Sequence, residues 1–148
     1  MGVVERLAEL GLSVPPVAAP VAAYVPAVKA GQTVYTSGQL PFVDGVLAAT
    51  GKVGAEVSPE DAHEYAKLCA LNVIAAIGSV VDLDAVKSVL KVGVFVASDP
   101  GFSGQPAVAN GASELLAHAF GGAHARSAVG VAALPLDAPV EIDVIVEI

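Results

Sequence analysis

Cysteine is almost missing from this chain. With only Cys69 among 148 residues, no internal disulfide can form. Cys69 falls in an apolar stretch with helical spacing, so it reads as a buried free thiol, which fits a reducing compartment. Cations are scarce as well. Lys and Arg together number 7 against 15 Asp and Glu, a formal net charge of −8. Affinity for nucleic acid comes largely from neutralising phosphates, so this balance argues against nucleic acid as a partner. Charge of either sign is thin, at 15% of residues beside 55% hydrophobic. So little charge on a small domain leads us to expect that another copy of the chain covers part of its surface.

Membrane-length apolar runs are lacking too. The stretch Leu10 to Val28 carries no charge, but Pro15, Pro16, Pro20 and Pro26 interrupt it, so it cannot form a stable spanning helix. Glu5 and Glu9 break the N-terminus where a signal peptide would need an apolar run. The expectation is a soluble, cytoplasmic protein with no membrane partner. No Gly-rich phosphate loop ends in Lys-Ser or Lys-Thr, and His63, His118 and His124 have no ligand spacing, so neither a metal nor a cofactor is expected. No Gly-x-Ser-x-Gly elbow surrounds any serine, which leaves nucleophilic hydrolysis without a motif.

What is present is a strongly patterned chain. A domain of this length can bury about 68 to 70% of its unfolded surface, enough for a core without metal or disulfide. Residues 2 to 11 pattern as a short amphipathic helix with Val3, Leu7 and Leu10 on one face and Gly11 as its stop. Pro15 to Pro20 reads as an extended connector. Tyr24–Lys29 and Thr33–Ser37 read as strands about Ala30-Gly31-Gln32, with Phe42–Leu47 as a weaker third. Ser58-Pro59-Glu60-Asp61 starts a helix that runs to about Ala76 or Gly78 and is heavily buried. Asn72, polar within that helix, reads as a satisfied packing residue. Val86–Ala97 then reads as a strand, Pro106–Phe120 as a second helix stopped by Gly121-Gly122, and Ala125–Leu134 and Pro139–Ile148 as two more strands. The order is β-β-β-α-β-α-β-β, an α+β domain with helices on one side of a mostly antiparallel sheet. We take 1–17 as an N-terminal helix and linker and 18–148 as one domain.

The last two strands carry the chemistry. Arg126 sits in a row of very small side chains, Ala128, Gly130 and Ala132, which leaves room for a ligand. Arg grips a planar carboxylate through two parallel hydrogen bonds. The plainer alternative is a surface charge, or a pair with a carboxylate on the next strand. In the final strand Val140, Ile142, Val144, Val146 and Ile148 form the core face, with Glu141, Asp143 and Glu147 opposite. If the two strands formed a simple hairpin, Glu141 would lie roughly 20 Å from Arg126, too far to share a small substrate. So either the strands are not neighbours or a second subunit completes the site; read alone, Glu141 is a solvated strand residue. His124 lies beside the arginine and could titrate near neutrality, though a single His is more often structural. Ser37-Gly38-Gln39 reads as a turn in which Gly38 allows backbone to approach a ligand.

VYTSGQLP (Val34 to Pro41) and ARSAVGVAALPLDAPVEIDVI (Ala125 to Ile145) resemble the two hallmark motifs of the Rid family, also called YjgF-like proteins and once labelled endoribonuclease L-PSP. The resemblance spans roughly residues 18 to 148. It implies a chorismate-mutase-like fold, a homotrimer with sites in the clefts between subunits, and hydrolysis of reactive 2-imino acids to 2-keto acids and ammonia. On that reading Arg126 clamps the carboxylate of a small-molecule substrate and Glu141 orients or activates the attacking water. Tyr24 matches a site tyrosine, Ser37 and Gly38 the contacts at the substrate edge, and Asn110 an asparagine near the cleft. Ala128 stands where a cysteine is common and enlarges the pocket; Ala22-Ala23 replaces a usual Gly-Pro, and His124 a usual proline. Some subgroups keep this fold without demonstrated deaminase activity, so a non-catalytic trimer that binds small carboxylates is the alternative. A ribonuclease, as the older label suggests, is the remote one.

Overall fold

A computed structural model describes residues 1–19 and 23–148. Pro20, where the proposed connector ends, and Ala22 lie outside the described residues. The helices are α1 (Val3–Glu9), α2 (Pro59–Gly78) and α3 (Gln105–Phe120). The strands are β1 (Ala27–Ala30), β2 (Thr33–Thr36), β3 (Phe42–Val43), β4 (Val46–Leu47), β5 (Ser88–Ala97), β6 (Ala125–Val131) and β7 (Val140–Glu147).

Local chemistry explains most of these boundaries. The Ser58 side chain accepts from the Asp61 N–H (3.1 Å), Pro59 takes the first helical position, and Glu60 and Asp61 face the positive end of α2. Gly121 stops α3 at φ 75°. The opening strand starts later than its sequence pattern suggests, at Ala27, because Pro26 has no N–H for a ladder. In α1, Val3 and Leu7 join the core, whereas Leu10 lies past the helix end and is exposed. The expected third strand is a separate two-stranded hairpin. Asp44 and Gly45, both at positive φ (51° and 79°), fold Phe42–Leu47 back on itself.

The main sheet runs β1-β2-β7-β5-β6. Every pairing is antiparallel except β5 with β6. The last two strands are therefore not a hairpin, because β5 lies between them. The chain leaves β6, makes a 3-10 turn at Pro135–Asp137, and threads β7 between β2 and β5. That turn is tethered by Lys52 Nζ to the Asp137 carboxylate (2.7 Å). Helices α2 and α3 cover one face, over Val92, Val94 and Val96 of β5 and the alternate residues of β7. The other face carries half-exposed Val28, Tyr35 and Val129. Antiparallel sheets allow such one-sided cover.

The two helices meet at Gly111, where a Cβ would collide with the His63 main-chain carbonyl of α2. Backbone cannot move aside as a flexible side chain can. Gly111→Ala should therefore lower stability by about 1–3 kcal/mol, the usual cost of overpacking, as read from urea unfolding midpoints.

Candidate functional site

Register decides which residues can meet. Arg126 is level with Val92 of β5, which is fully buried under the helices. Neighbours at one level of a sheet share a face, so Arg126 and Ala128 project to the helix side, while Ser127 and Val129 project to the other. Glu141 is level with Phe95, one step out of phase with the buried row, and projects to the open face. Within one chain, Arg126 and Glu141 stand on opposite faces of the sheet.

On the helix side the guanidinium is held against α3. Arg126 Nη1 donates to Asn110 Oδ1 (2.8 Å) and Ser113 Oγ (3.1 Å), and Nη2 reaches the Pro106 carbonyl at 3.5 Å. All three acceptors are neutral. Arg126 makes no ion pair among the described residues, so the pairing with a strand carboxylate allowed by the sequence is not found. Nη1 carries both side-chain contacts and Nη2 the longer one to Pro106, which leaves Nε without an acceptor among the described residues; a carboxylate gripped by Nε and Nη2 would share Nη2 with the Pro106 carbonyl. Ala128 follows on the same side and packs against the core. Ser113 was not among the residues singled out from the sequence. Its signal was there: it lies one turn beyond Asn110 on the same helix face.

His124 joins this group through Ser113, with Nε2 2.9 Å from its Oγ. Burial pushes the imidazole below its ordinary value, and the positive charge of Arg126 pushes the same way. The ring is therefore neutral near pH 7. The other histidines have other neighbours: His63 faces Glu64 and Glu114, and His118 the Arg6 carbonyl and Glu9.

The open face gathers the rest. Gln39 bridges to Ile142 of β7 by reciprocal main-chain bonds (2.8 and 3.0 Å), which lays Gly38 against Glu141. A side chain at position 38 would meet the Glu141 side chain and displace it, so glycine is what lets the carboxylate lie this close to the backbone. Ser37 Oγ donates to the Val25 carbonyl (2.6 Å) and Ser37 N–H to the Pro26 carbonyl (2.8 Å). Its hydroxyl holds the segment just after Tyr24 rather than standing free for a ligand. Tyr24 and Gly38 line one small depression of about 30 Å³. Tyr24, Ser37, Gly38 and Glu141 thus form one group, and Arg126, Asn110, Ser113, His124 and Ala128 another.

Glu141 is half-buried with no cation against it among the described residues. Burial raises its carboxyl above the usual range, and the negative charge of Asp143 adds to the rise. Asp143 is raised by burial alone. A carboxylate so placed is a stronger proton acceptor than an exposed one. Among the described residues no group of His, Cys, Asp and Glu could hold a metal, and no helix is long and apolar enough to cross a membrane.

The coupling of His124 to Arg126 is open to direct measurement. In an NMR titration the His124 ring should titrate below 6.5, the ordinary value. Arg126→Ala should move that midpoint part of the way back, since burial remains while the charge is gone. An unchanged midpoint would mean that the charge does not reach the ring.

The chain is 46% identical to protein TCP17 of Trypanosoma cruzi, over 99% of this chain and 94% of that protein. Its fold superposes on the crystal structure of Atu1372, a protein of unknown function from Agrobacterium tumefaciens, with a TM-score of 0.91 and 45% identity, covering 99% of this chain and 92% of that one. E. coli TdcF, solved with bound serine, superposes with a TM-score of 0.69 at 26% identity, over 89% of this chain and 93% of that one. Residues 16–148 match the family described as Endoribonuclease L-PSP, and the chain belongs to that family.

Proposed function

We propose that this protein hydrolyses reactive 2-imino or 2-enamino acids to 2-keto acids and ammonia, at sites that each take Arg126 from one subunit and Glu141 from another in a homotrimer. The observation that carries the reading is a pair of complementary charges left without partners. Among the described residues Arg126 offers a charge without a counter-ion and an Nε without an acceptor on the helix side, and Glu141 a half-buried carboxylate on the open side. One chain cannot aim both at one small molecule; two chains can.

The chemistry asks little more. The Nε/Nη2 edge of Arg126 grips the substrate carboxylate, with Asn110 and Ser113 fixing the guanidinium plane. Glu141 takes a proton from a water as its oxygen adds to the imine carbon, and the nitrogen receives a proton. The resulting carbinolamine expels ammonia and leaves the keto acid. The Gly38 N–H has no acceptor among the described residues and can donate to the substrate edge. Because the imine carbon is already electrophilic, neither a metal nor a covalent intermediate is required. The reading puts the trimer in the cytoplasm, where pyridoxal-phosphate enzymes release such imines.

A second reading, a trimer that binds small carboxylates without turning them over, draws support from the serine bound to E. coli TdcF. It needs Arg126 but not Glu141. The ribonuclease reading rests on the family's description, against a net charge of −8.

The decisive assay follows keto-acid release from an imino acid generated in place by an amino-acid oxidase. Wild type should accelerate it, and Arg126→Ala should lower kcat/KM by about 10²-fold, the worth of a charge-assisted bidentate grip. Glu141→Gln should lose turnover by about 10²-fold or more while still binding a keto acid. The wild-type rate should rise with pH through a midpoint above the ordinary glutamate value, because Glu141 must be ionised to accept the proton. No acceleration by a folded wild-type trimer would sink the deaminase reading and leave the binding one.

A further inference from the structure

We propose that His124 is a positioning residue behind the Arg126 clamp: it shares the Ser113 hydroxyl with the guanidinium, and its ring takes up a proton when a carboxylate binds there. The inference rests on the reading that Arg126 holds a carboxylate. It does not depend on whether that carboxylate is then turned over.

Ser113 Oγ accepts from Arg126 Nη1 (3.1 Å) and lies 2.9 Å from His124 Nε2. A guanidinium can only donate, so the hydroxyl uses a lone pair on Arg126 and keeps its one hydrogen to give. The ring nitrogen takes it. We assign Nε2 as the acceptor, which puts the ring hydrogen of neutral His124 on Nδ1. Bonds to one shared oxygen hold Nη1 and Nε2 within about 6 Å of each other, so the charge of Arg126 acts on the ring at short range. Asn110 Oδ1 anchors the same Nη1 (2.8 Å), which keeps the guanidinium beside α3.

The other charged groups of the surrounding elements are engaged elsewhere. On α3, Glu114 faces His63 of α2 and His118 faces Glu9; on α2, Lys67 faces Glu64; on β5, Lys91 donates to the Ser127 hydroxyl on the open side. Burial and Arg126 both favour the neutral ring in the free protein. A carboxylate docked on Arg126 cancels the neighbouring charge while burial remains. The ring then protonates more readily, at a midpoint raised toward 6.5, its ordinary value, but short of it.

Linkage makes this effect reciprocal. As pH falls through the two midpoints, the protonated ring places a second cation beside the carboxylate and affinity rises. Above both midpoints the ring is neutral and adds no pH dependence. On protonation Nε2 becomes a donor, which the second lone pair of Ser113 Oγ accepts, so the contact reverses rather than breaks.

NMR titration of the full-length protein tests the coupling, with pyruvate as the probe because its carboxyl is ionised throughout. Saturating pyruvate should raise the His124 midpoint. The dissociation constant of pyruvate should tighten by up to about threefold from about pH 8 to about pH 5, the effect of one screened unit charge at this range. In His124→Gln that tightening should shrink to what Glu141 alone contributes. A midpoint unmoved by bound pyruvate, or a His124→Gln protein that keeps the full pH dependence, would overturn the proposal; the first of these readouts needs no variant to fold. Absence of pyruvate binding at any pH would remove the Arg126 clamp and the coupling together. A moved midpoint without imine turnover would instead sink the deaminase reading alone.

Discussion

The insertion of β5 between β6 and β7 is the constraint on which the rest depends. If the two C-terminal strands paired directly, Arg126 and Glu141 would lie along a single hairpin. With β5 between them their strands are two spacings apart, about 9–10 Å, the residues are level with Val92 and Phe95, three positions apart along β5, and they stand on opposite faces of the sheet. The arginine is then aimed into α3, which fixes its plane through Asn110 and Ser113. The glutamate is aimed at the open face, where Gly38 makes room for it. One topological choice thus divides the chemistry into two halves.

Each half pays an electrostatic cost when left alone. Glu141 and Asp143 are half-buried without a cation among the described residues, so both carboxyls rise in pKa, and His124 is driven toward its neutral form by burial and by Arg126. Such groups favour assembly with a surface that supplies the missing partner. The half-exposed Val28, Tyr35 and Val129 on the open face point the same way, as does the low share of charged residues. A homotrimer, which we propose, would satisfy both demands at once.

Much of this fold is legible in the sequence because its signals are local. The Ser58 cap, the stop at Gly121 and the strict alternation of β7 each predict a boundary or a face from adjacent residues. Asn72 reads correctly as a bonded residue in a buried helix, since its Nδ2 holds the Leu40 and Phe42 carbonyls. What periodicity could not supply is long-range pairing. Nothing within β6 or β7 records that β5 lies between them, and Asp44-Gly45 turns a weak third strand into a separate hairpin. Tyr24, Ser37, Gly38 and Asn110 were named through resemblance to a family. The structure gathers Asn110 with Arg126, and Tyr24, Ser37 and Gly38 with Glu141, but it commits the Ser37 hydroxyl to Val25. The contacts of Ser113 emerge only once the chain is folded.

The central claim is that one site draws on two chains, and subunit mixing tests it most directly. Arg126→Ala and Glu141→Gln proteins, each inactive alone, would be unfolded together, refolded as a mixture and assayed for keto-acid release. If sites form between subunits, mixed trimers regain activity, up to about a quarter of the wild-type rate, the share of randomly assembled sites that join two intact residues. A mixture that is shown to exchange subunits yet stays as inactive as either parent would contradict the account.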